Sequence, residues 1–183
     1  MQFTQQPLAD VQLIRLTEHI DSRGSFAETF RLDVFQQFCG DIRLVQDNQS
    51  LSNAGVLRGL HFQHRRPQGK LVQVLAGRLY DVIVDLRPAS VTFGKWQGIW
   101  LDAAEPALLW VPPGFAHGFY VTEGPALVSY KCSDYYQPDD QYVLAYDDPS
   151  LQISWPLQGK PLLSDKDQQG QSFAELCQQL ALR

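Results

Sequence analysis

The chain has 183 residues, with 15 Lys and Arg against 20 Asp and Glu, so its formal net charge is −5. This length is enough for one domain with its own core, and we expect residues 1–183 to form a single domain. The acidic balance argues against general nucleic-acid binding, and no apolar run reaches the roughly 20 residues needed to cross a bilayer.

Short segments with strand character dominate the first part of the chain. Strands are predicted over residues 11–16, 26–30 and 44–48, with a turn over residues 21–26 before the second of them. A short helix is predicted over residues 32–38, because Asp33 stands near its start and Gly40 just past its end.

Strands continue through the middle of the chain. Tyr80, Val82 and Val84 alternate with Asp81 and Asp85, which is the two-residue period of a strand. Gly and Pro residues separate the segments, and Gly77-Arg78 is predicted to form a turn. The predicted strands cover residues 71–76, 79–86, 92–101, 107–111, 115–121, 126–132 and 141–146. So many short strands favour an all-β fold, a jelly-roll sandwich or barrel with a few short helices.

The C-terminal segment changes to a helical pattern. Ser172 precedes Glu175 by three residues, which is the capping-box spacing at the start of a helix. The apolar face of this predicted helix consists of Phe173, Leu176, Cys177 and Leu180. We interpret it as a structural helix packed on the sheet.

The cysteines and the N-terminus indicate the cellular compartment. Cys39, Cys132 and Cys177 are an odd, scattered set without the spacing of a metal site or a disulfide framework. Residues 1–7 lack the basic and apolar regions of a secretory signal. We therefore expect a reducing, cytoplasmic location.

The segment from Asn48 to Tyr80 contains no Asp or Glu, although the whole chain is acidic. Its cations are Arg58, Arg65, Arg66, Lys70 and Arg78. A local excess of positive charge interleaved with apolar residues predicts an anionic ligand, since buried cations need a partner. For Arg65 and Arg66 the favoured interpretation is exposed loop charge.

The same segment has the spacing of a cupin metal site, but not its ligands. His61 follows Gly55 after five residues, Gln63 stands where a second His is expected, and Lys70 stands in place of a Glu. The second cupin signature is present over residues 112–117 and ends at His117. An ammonium group at a ligand position repels a divalent ion. His64 could substitute as a ligand, but it would point to the opposite face of a strand from His61. We therefore predict no metal and no cofactor.

A pocket with His, Lys and Tyr but no metal suits proton chemistry next to a carbonyl. A neutral His is a good base near pH 7, and a fixed Lys stabilises a developing oxyanion. A Tyr can then return a proton from another side. Epimerisation or isomerisation is the reaction that this set predicts.

Eight collinear motifs resemble the dTDP-4-dehydrorhamnose 3,5-epimerase family. They cover residues 21–26, 45–48, 56–63, 68–72, 81–87, 115–119, 130–131 and 164–167. The resemblance implies a metal-independent cupin jelly roll that forms a homodimer with strands exchanged between subunits. It also implies the reaction: dTDP-4-dehydro-6-deoxy-α-D-glucose is inverted at C3 and C5 to dTDP-4-dehydro-β-L-rhamnose, for dTDP-L-rhamnose biosynthesis.

The resemblance further implies roles for individual residues. His61 would be the base, Asp167 the carboxylate that orients it, Lys70 the group near the C4 oxygen, and Tyr130 the proton donor. Arg23 and Arg58 would lie on the diphosphate and nucleotide side. The substrate-binding positions would be Arg23, Glu28, Gln46, Asp47, Asn48, Arg58, Lys70, His117, Tyr136 and Lys166, with Tyr136 stacking on thymine.

Several alternatives stay open at this stage. The family often has an acidic residue in contact with substrate just beyond Tyr136, and here Asp139, Asp140 and Gln141 are the candidates. Gln49 stands where many members carry His. An epimerase acting at C3 or C5 alone, a non-catalytic cupin that binds a nucleotide sugar, and a metal-dependent cupin oxygenase are the competing functions.

Overall fold

The computed structural model describes residues 1–181, and strands are the main regular structure in this part of the chain. The strands are β1 (Gln2–Gln5), β2 (Gln12–Arg15), β3 (Glu18–Asp21), β4 (Gly24–Ala27), β5 (Gln46–Ser52), β6 (Leu57–Gln63), β7 (Lys70–Asp85), β8 (Trp96–Asp102), β9 (Ala107–Val111), β10 (Phe115–Cys132) and β11 (Gln141–Val143). The helices are α1 (Leu32–Cys39) and α2 (Phe173–Gln179). The predicted all-β fold with a few short helices is confirmed.

Two long strands, β7 and β10, organise the main sheet. They pair antiparallel from Lys70 opposite Cys132 to Asp85 opposite Phe115. The sheet order is β1-β2-β9-β7-β10-β6-β11, while β8 also pairs with β7 and β5 also pairs with β10. Because each long strand has different partners along its length, the sheet folds over itself as a sandwich.

Both faces of β7 are buried. Leu79 and Ile83 belong to the core cluster inside the sandwich, whereas Val82 and Val84 pack in a second cluster with Leu176 of α2. Asp81 lies on the same face as Leu79, so both oxygens of its carboxylate are inside the protein, at 0% exposure. Although acidic and apolar residues alternate along β7, its acidic residues do not mark a solvent-exposed face.

The orientation of side chains changes near the middle of both long strands. On β7 the inward residues are Val72 and Val74 before Gly77, but Leu79 and Ile83 after it. The register between β7 and β10 shifts at this level, between Val121 and Val128 of β10. An extra residue in a strand reverses the two-residue alternation beyond it, which is the effect of a β-bulge.

The predicted turn at Gly77-Arg78 is therefore wrong, and so is the division of residues 115–132 into two strands. Gly77 has φ +75°, and a Cβ there would lie 2.6 Å from the carbonyl oxygen of Glu123. The glycine permits a bulge in close contact with β10, and the strand continues through it. Elsewhere the predicted boundaries differ by a few residues: β4, β5, β8 and β11 cover residues 24–27, 46–52, 96–102 and 141–143.

Both predicted helices are present. Gly40 follows α1 with φ +88°. At the start of α2, the Ser172 side chain accepts the Glu175 N–H and the Glu175 carboxylate accepts the Ser172 N–H, so the capping box is confirmed. Neither helix, within residues 1–181, has the length and apolar character needed to span a bilayer.

Strands β3 and β4 form a hairpin that stands apart from the main sheet. They pair only with each other in the part of the chain that the structure describes. Their apolar side chains face solvent, since Ile20 is 79% and Phe26 is 72% exposed. An isolated two-stranded hairpin is marginally stable in water, and exposed apolar side chains of this kind are typical of a contact surface.

Candidate active site

A cavity of about 250 Å³ opens where β5, β6, β7 and β10 meet. Its lining is Asn48, Gln49, Ser50, Arg58, His61, Gln68, Lys70, His117, Gly118, Phe119, Tyr130, Cys132, Tyr136 and Gln141. Seven residues of the predicted site are in this set: Asn48, Arg58, His61, Lys70, His117, Tyr130 and Tyr136. The structure thus collects most of the predicted side chains, from four strands and one loop, around one space.

His61 on β6 is held by Asp167, which lies 106 residues later in a short 3₁₀ turn over Asp167–Gln169. The Asp167 Oδ1 to His61 Nε2 distance is 2.5 Å, and the carboxylate is 4% exposed. A carboxylate can only accept, so Nε2 carries the proton and Nδ1 keeps the lone pair. Burial lowers the pKa of His61, against the raising effect of the Asp167 carboxylate. His61 is therefore a neutral imidazole at pH 7, with a basic nitrogen available.

The environment of Asp167 keeps it ionised. Burial alone would raise its pKa, but hydrogen bonds from His61, Ser164 and the Gly59 backbone outweigh that effect, and the net pKa is lowered. An ionised Asp167 can stabilise the imidazolium that forms when His61 takes a proton.

Lys70 lies at the start of β7, paired across the strand with Cys132 of β10. Its Nζ contacts the backbone oxygen of His61 at 3.4 Å. Burial lowers the pKa of Lys70, and nearby Cys132 and Asp81 oppose that effect. An ammonium group that lines the cavity close to the base is well placed to stabilise negative charge that develops on a ligand.

His117 and Asp81 form a second His–carboxylate pair beneath the cavity. The Asp81 Oδ2 to His117 Nε2 distance is 2.8 Å, and both side chains are almost completely buried. Burial raises the pKa of Asp81, while His117 and Lys70 oppose the shift. Sequence reasoning placed His117 in the site but missed Asp81. The available signal was its position, two residues from Leu79 and Ile83 on the inward face of a strand.

Tyr130 of β10 has its hydroxyl 2.9 Å from the Ser50 Oγ of β5. Burial raises the pKa of Tyr130 above its ordinary value of 10.0, although the Ser50 hydrogen bond acts in the opposite direction. The phenol is therefore protonated throughout the physiological range and can serve as an acid. Ser50 is another residue that the sequence did not indicate.

Two predicted binding residues, Gln46 and Lys166, lie at the edge of the cavity and contact residues that line it. Gln46 accepts the backbone N–H of Tyr136 through Oε1 at 3.0 Å. Lys166 donates to Gln141 Oε1 at 2.6 Å, and the Tyr136 hydroxyl donates to the same oxygen at 2.7 Å. These contacts order the rim on which Tyr136 is exposed and able to stack on a planar ligand.

Three further predicted binding residues, besides Gln46 and Lys166, do not line the cavity within residues 1–181. Asp47 points away from it and forms an ion pair with Lys131 at 2.8 Å. Arg23 is in the turn of the β3–β4 hairpin, bonded to Asp21, and Glu28 is bonded to Arg31 on the exposed segment that follows. Their roles stay predictions.

The structure separates two of the three candidates beyond Tyr136, namely Gln141 and Asp140. Gln141 lines the cavity. Asp140 is buried and accepts the backbone N–H groups of Arg65 and Arg66, so its role is to fix that loop. The Arg65 and Arg66 side chains are 69% and 50% exposed, as expected for surface charges.

His61 and His64 lie in different places. His64 lines a separate cavity of about 310 Å³ beside Leu180 and Pro113, and its ring meets Tyr142 edge-on. Across residues 1–181, no three His, Cys, Asp or Glu side chains are grouped as ligands for a metal ion.

Comparisons with known proteins identify the family of this chain. Residues 5–175 match the model of the dTDP-4-dehydrorhamnose 3,5-epimerase family. A dTDP-4-dehydrorhamnose 3,5-epimerase from Neisseria gonorrhoeae is 50% identical over 168 residues, which are 92% of this chain and 51% of that protein. The chain thus spans about half the length of that relative.

Two solved structures have the same fold. The dTDP-6-deoxy-D-glucose-3,5-epimerase from Legionella pneumophila, in complex with dTDP-4-keto-L-rhamnose, has a TM-score of 0.94 and 42% identity, covering 98% of this chain and 96% of its own. A 3'-monoepimerase from Streptomyces bikiniensis, in complex with dTDP-quinovose, has a TM-score of 0.89 and 32% identity, covering 97% and 90%. The chain therefore belongs to the dTDP-4-dehydrorhamnose 3,5-epimerase family, a family of isomerases.

Proposed function

We propose that the protein inverts both C3 and C5 of dTDP-4-dehydro-6-deoxy-α-D-glucose, giving dTDP-4-dehydro-β-L-rhamnose for dTDP-L-rhamnose biosynthesis. The observation that carries the proposal is the convergence of His61, Lys70 and Tyr130 on one cavity, with His61 bonded to a buried carboxylate. A base, an electrostatic stabiliser and an acid are the three groups that proton exchange next to a ketone requires.

His61 removes the proton from the carbon next to the C4 ketone. Asp167 fixes the ring with Nε2 protonated, so Nδ1 accepts the proton, and the carboxylate then stabilises the imidazolium. Because C3 and C5 both flank the C4 carbonyl, the same enolate chemistry serves each inversion.

Lys70 stabilises the enolate that forms at the C4 oxygen. Its ammonium group stands where a metal ligand would be expected from the sequence spacing, and it supplies positive charge without a metal. Tyr130 returns a proton to the carbon. Its raised pKa keeps the phenol protonated until the enolate has formed.

The nucleotide half of the substrate fits the remaining lining. Arg58 donates to Ser52 at 2.9 Å through Nε, and its guanidinium suits a diphosphate oxygen. Asn48 contacts the nucleotide, Tyr136 stacks on the base, and His117 contacts the sugar. Gln46 and Lys166 support this binding through Tyr136 and Gln141.

Proton exchange with solvent tests the function directly. When the protein is incubated with the 4-keto substrate in D₂O, we expect deuterium at both C3 and C5, because each inversion delivers a solvent-derived proton. Proton NMR and mass spectrometry of the product measure the number and position of deuterium atoms. Incorporation at neither carbon would support a binding protein without catalysis and contradict the proposal.

An enzyme that inverts one position is the second candidate. The observation that favours it is the similarity to the Streptomyces bikiniensis 3'-monoepimerase, which has the same fold at 32% identity. Deuterium at C3 alone, or at C5 alone, would establish this candidate in place of the double inversion.

The exposed hairpin supports a homodimer as the working form. Ile20 and Phe26 present apolar surface, and Arg23 and Glu28 lie on or next to the same hairpin. A second copy would cover the apolar residues and receive Arg23 and Glu28 at the mouth of its cavity. Sedimentation velocity is expected to give twice the mass of one chain. A double Ile20→Ser, Phe26→Ser change should shift the measured mass towards that of a single chain. A native protein that is fully active as a monomer would contradict this.

A further inference from the structure

Strand β5 presents a row of polar side chains to the cavity side of β10 and β6. Asn48, Ser50 and Ser52 alternate along it, and each bonds a different neighbour. Asn48 donates to the Cys132 Sγ at 3.6 Å, and Ser52 accepts from Arg58. Asn48 is the cross-strand partner of Tyr130, and the Ser50 hydroxyl is hydrogen-bonded to the Tyr130 hydroxyl, the proposed acid.

Ser50 and Tyr130 are both half-buried and both line the cavity. The Ser50 hydroxyl lies 2.9 Å from the phenol oxygen. Strand β5 pairs only with β10 in residues 1–181, so it is an edge strand. A hydroxyl in this position can contact both the phenol oxygen and water.

In a double inversion, His61 and Tyr130 must return to their starting protonation states before the second step, and the two residues cannot do this without another proton carrier. This step rests on the proposed function. After the first inversion His61 has gained one proton and Tyr130 has lost one. The second inversion requires the opposite state at both groups, so a proton must reach the tyrosinate while the sugar stays bound.

We propose that Ser50 is the relay that reprotonates Tyr130 between the two inversions. The Ser50 O–H bond breaks as its proton forms the O–H bond of Tyr130, and the serine oxygen takes a proton from a cavity water. The hydroxide left behind is neutralised by the proton that the His61 imidazolium loses to solvent. In total one proton moves from His61 to Tyr130, and no other reactant is consumed.

The other polar groups of the row are less suited to this task. The Ser52 hydroxyl accepts from the Arg58 guanidinium, and an amide such as Asn48 is a very weak acid that does not relay protons on a catalytic timescale. Ser50 combines an exchangeable hydroxyl, contact with Tyr130 and access to the cavity.

The test compares Ser50→Ala with Ser50→Thr, which keeps a hydroxyl. In single-turnover experiments stopped by acid, Ser50→Ala should perform the first inversion within about threefold of the native rate. The second inversion should slow by about tenfold or more, because general acid supply contributes about 10²–10⁴ in rate. Chromatography and NMR of the stopped samples should show a singly inverted sugar that accumulates and then declines. Ser50→Thr should restore the native time course.

Buffer dependence gives a readout that a purely structural role would not change. The second inversion in Ser50→Ala should accelerate with the concentration of a small acid such as imidazolium, while the native rate should not. An equal loss in both inversions without buffer dependence would mean that Ser50 only positions the phenol, and unchanged rates would mean that water supplies Tyr130 directly. Either result overturns the relay. Failure of the epimerase proposal is seen separately, as a native protein that does not exchange both carbons in D₂O.

Discussion

Replacement of His61 by asparagine is expected to lower the turnover rate by about 10³-fold or more, because an amide cannot accept a proton from carbon at neutral pH. Asparagine is smaller than the imidazole and keeps a polar group near the Nδ1 position, so binding should change much less than turnover. The measurement is kcat and KM with the 4-keto nucleotide sugar, together with the rate of deuterium uptake in D₂O. His64→Asn is the matched control, since His64 lines a different cavity.

The pH profile of the native protein checks the same assignment. Burial lowers the pKa of His61 below its ordinary value of 6.5, and only the neutral form acts as a base. The acid limb of kcat/KM should therefore lie below pH 6.5, with the rate lost as His61 becomes protonated. The His61→Asn variant should have no such limb. An unchanged acid limb in that variant would assign the base elsewhere.

Replacement of Lys70 by methionine is the second large effect. Loss of an oxyanion-stabilising group costs about 10²–10³ in rate, and we expect that reduction in kcat with a smaller change in KM. The change should also move the acid limb. The Lys70 ammonium lowers the pKa of His61, so its removal raises that pKa and shifts the limb to higher pH.

The control for this change is Lys95→Met, which removes the same charge from an exposed loop residue. It should leave both the rate and the limb close to native. If Lys70→Met instead raised KM with kcat intact, Lys70 would act in binding and another group would stabilise the enolate. Circular dichroism and a thermal transition for each variant separate folding defects from chemical ones.

The sequence predicted the strand-rich fold because alternation and turn residues are local signals. It divided β7 and β10 into pieces because Gly77, and Gly124-Pro125 on β10, have the composition of turns. Whether a glycine forms a turn or a bulge depends on the neighbouring strand. Here the carbonyl oxygen of Glu123 lies 2.6 Å from where a Gly77 Cβ would be. That contact is a tertiary feature, and local pattern does not encode it.

The site was predictable where motifs carry it, as for His61, Lys70, His117 and Tyr130. Asp81 and Ser50 were missed for physical reasons. An acid that alternates with apolar residues usually faces solvent, and only the burial of both faces of β7 places Asp81 under the cavity. Ser50 matters through one hydroxyl contact 80 residues away in sequence, which composition and spacing do not reveal.

The bulges in β7 and β10 determine which residues share the cavity. Lys70 and Asp81 are eleven positions apart, an odd separation that would place them on opposite faces of a regular strand. His117 and Tyr130, thirteen apart, are in the same situation. The bulge reverses which residues of the strand point inward. A chain one residue shorter at Gly77 would therefore present Leu71 to the cavity and turn Lys70 outward. In these strands, the number of residues between the two halves of the site determines which side chains face the cavity. A substitution leaves the orientation of the other side chains unchanged. A single insertion or deletion between the two halves would instead turn the side chains of one half away from the cavity.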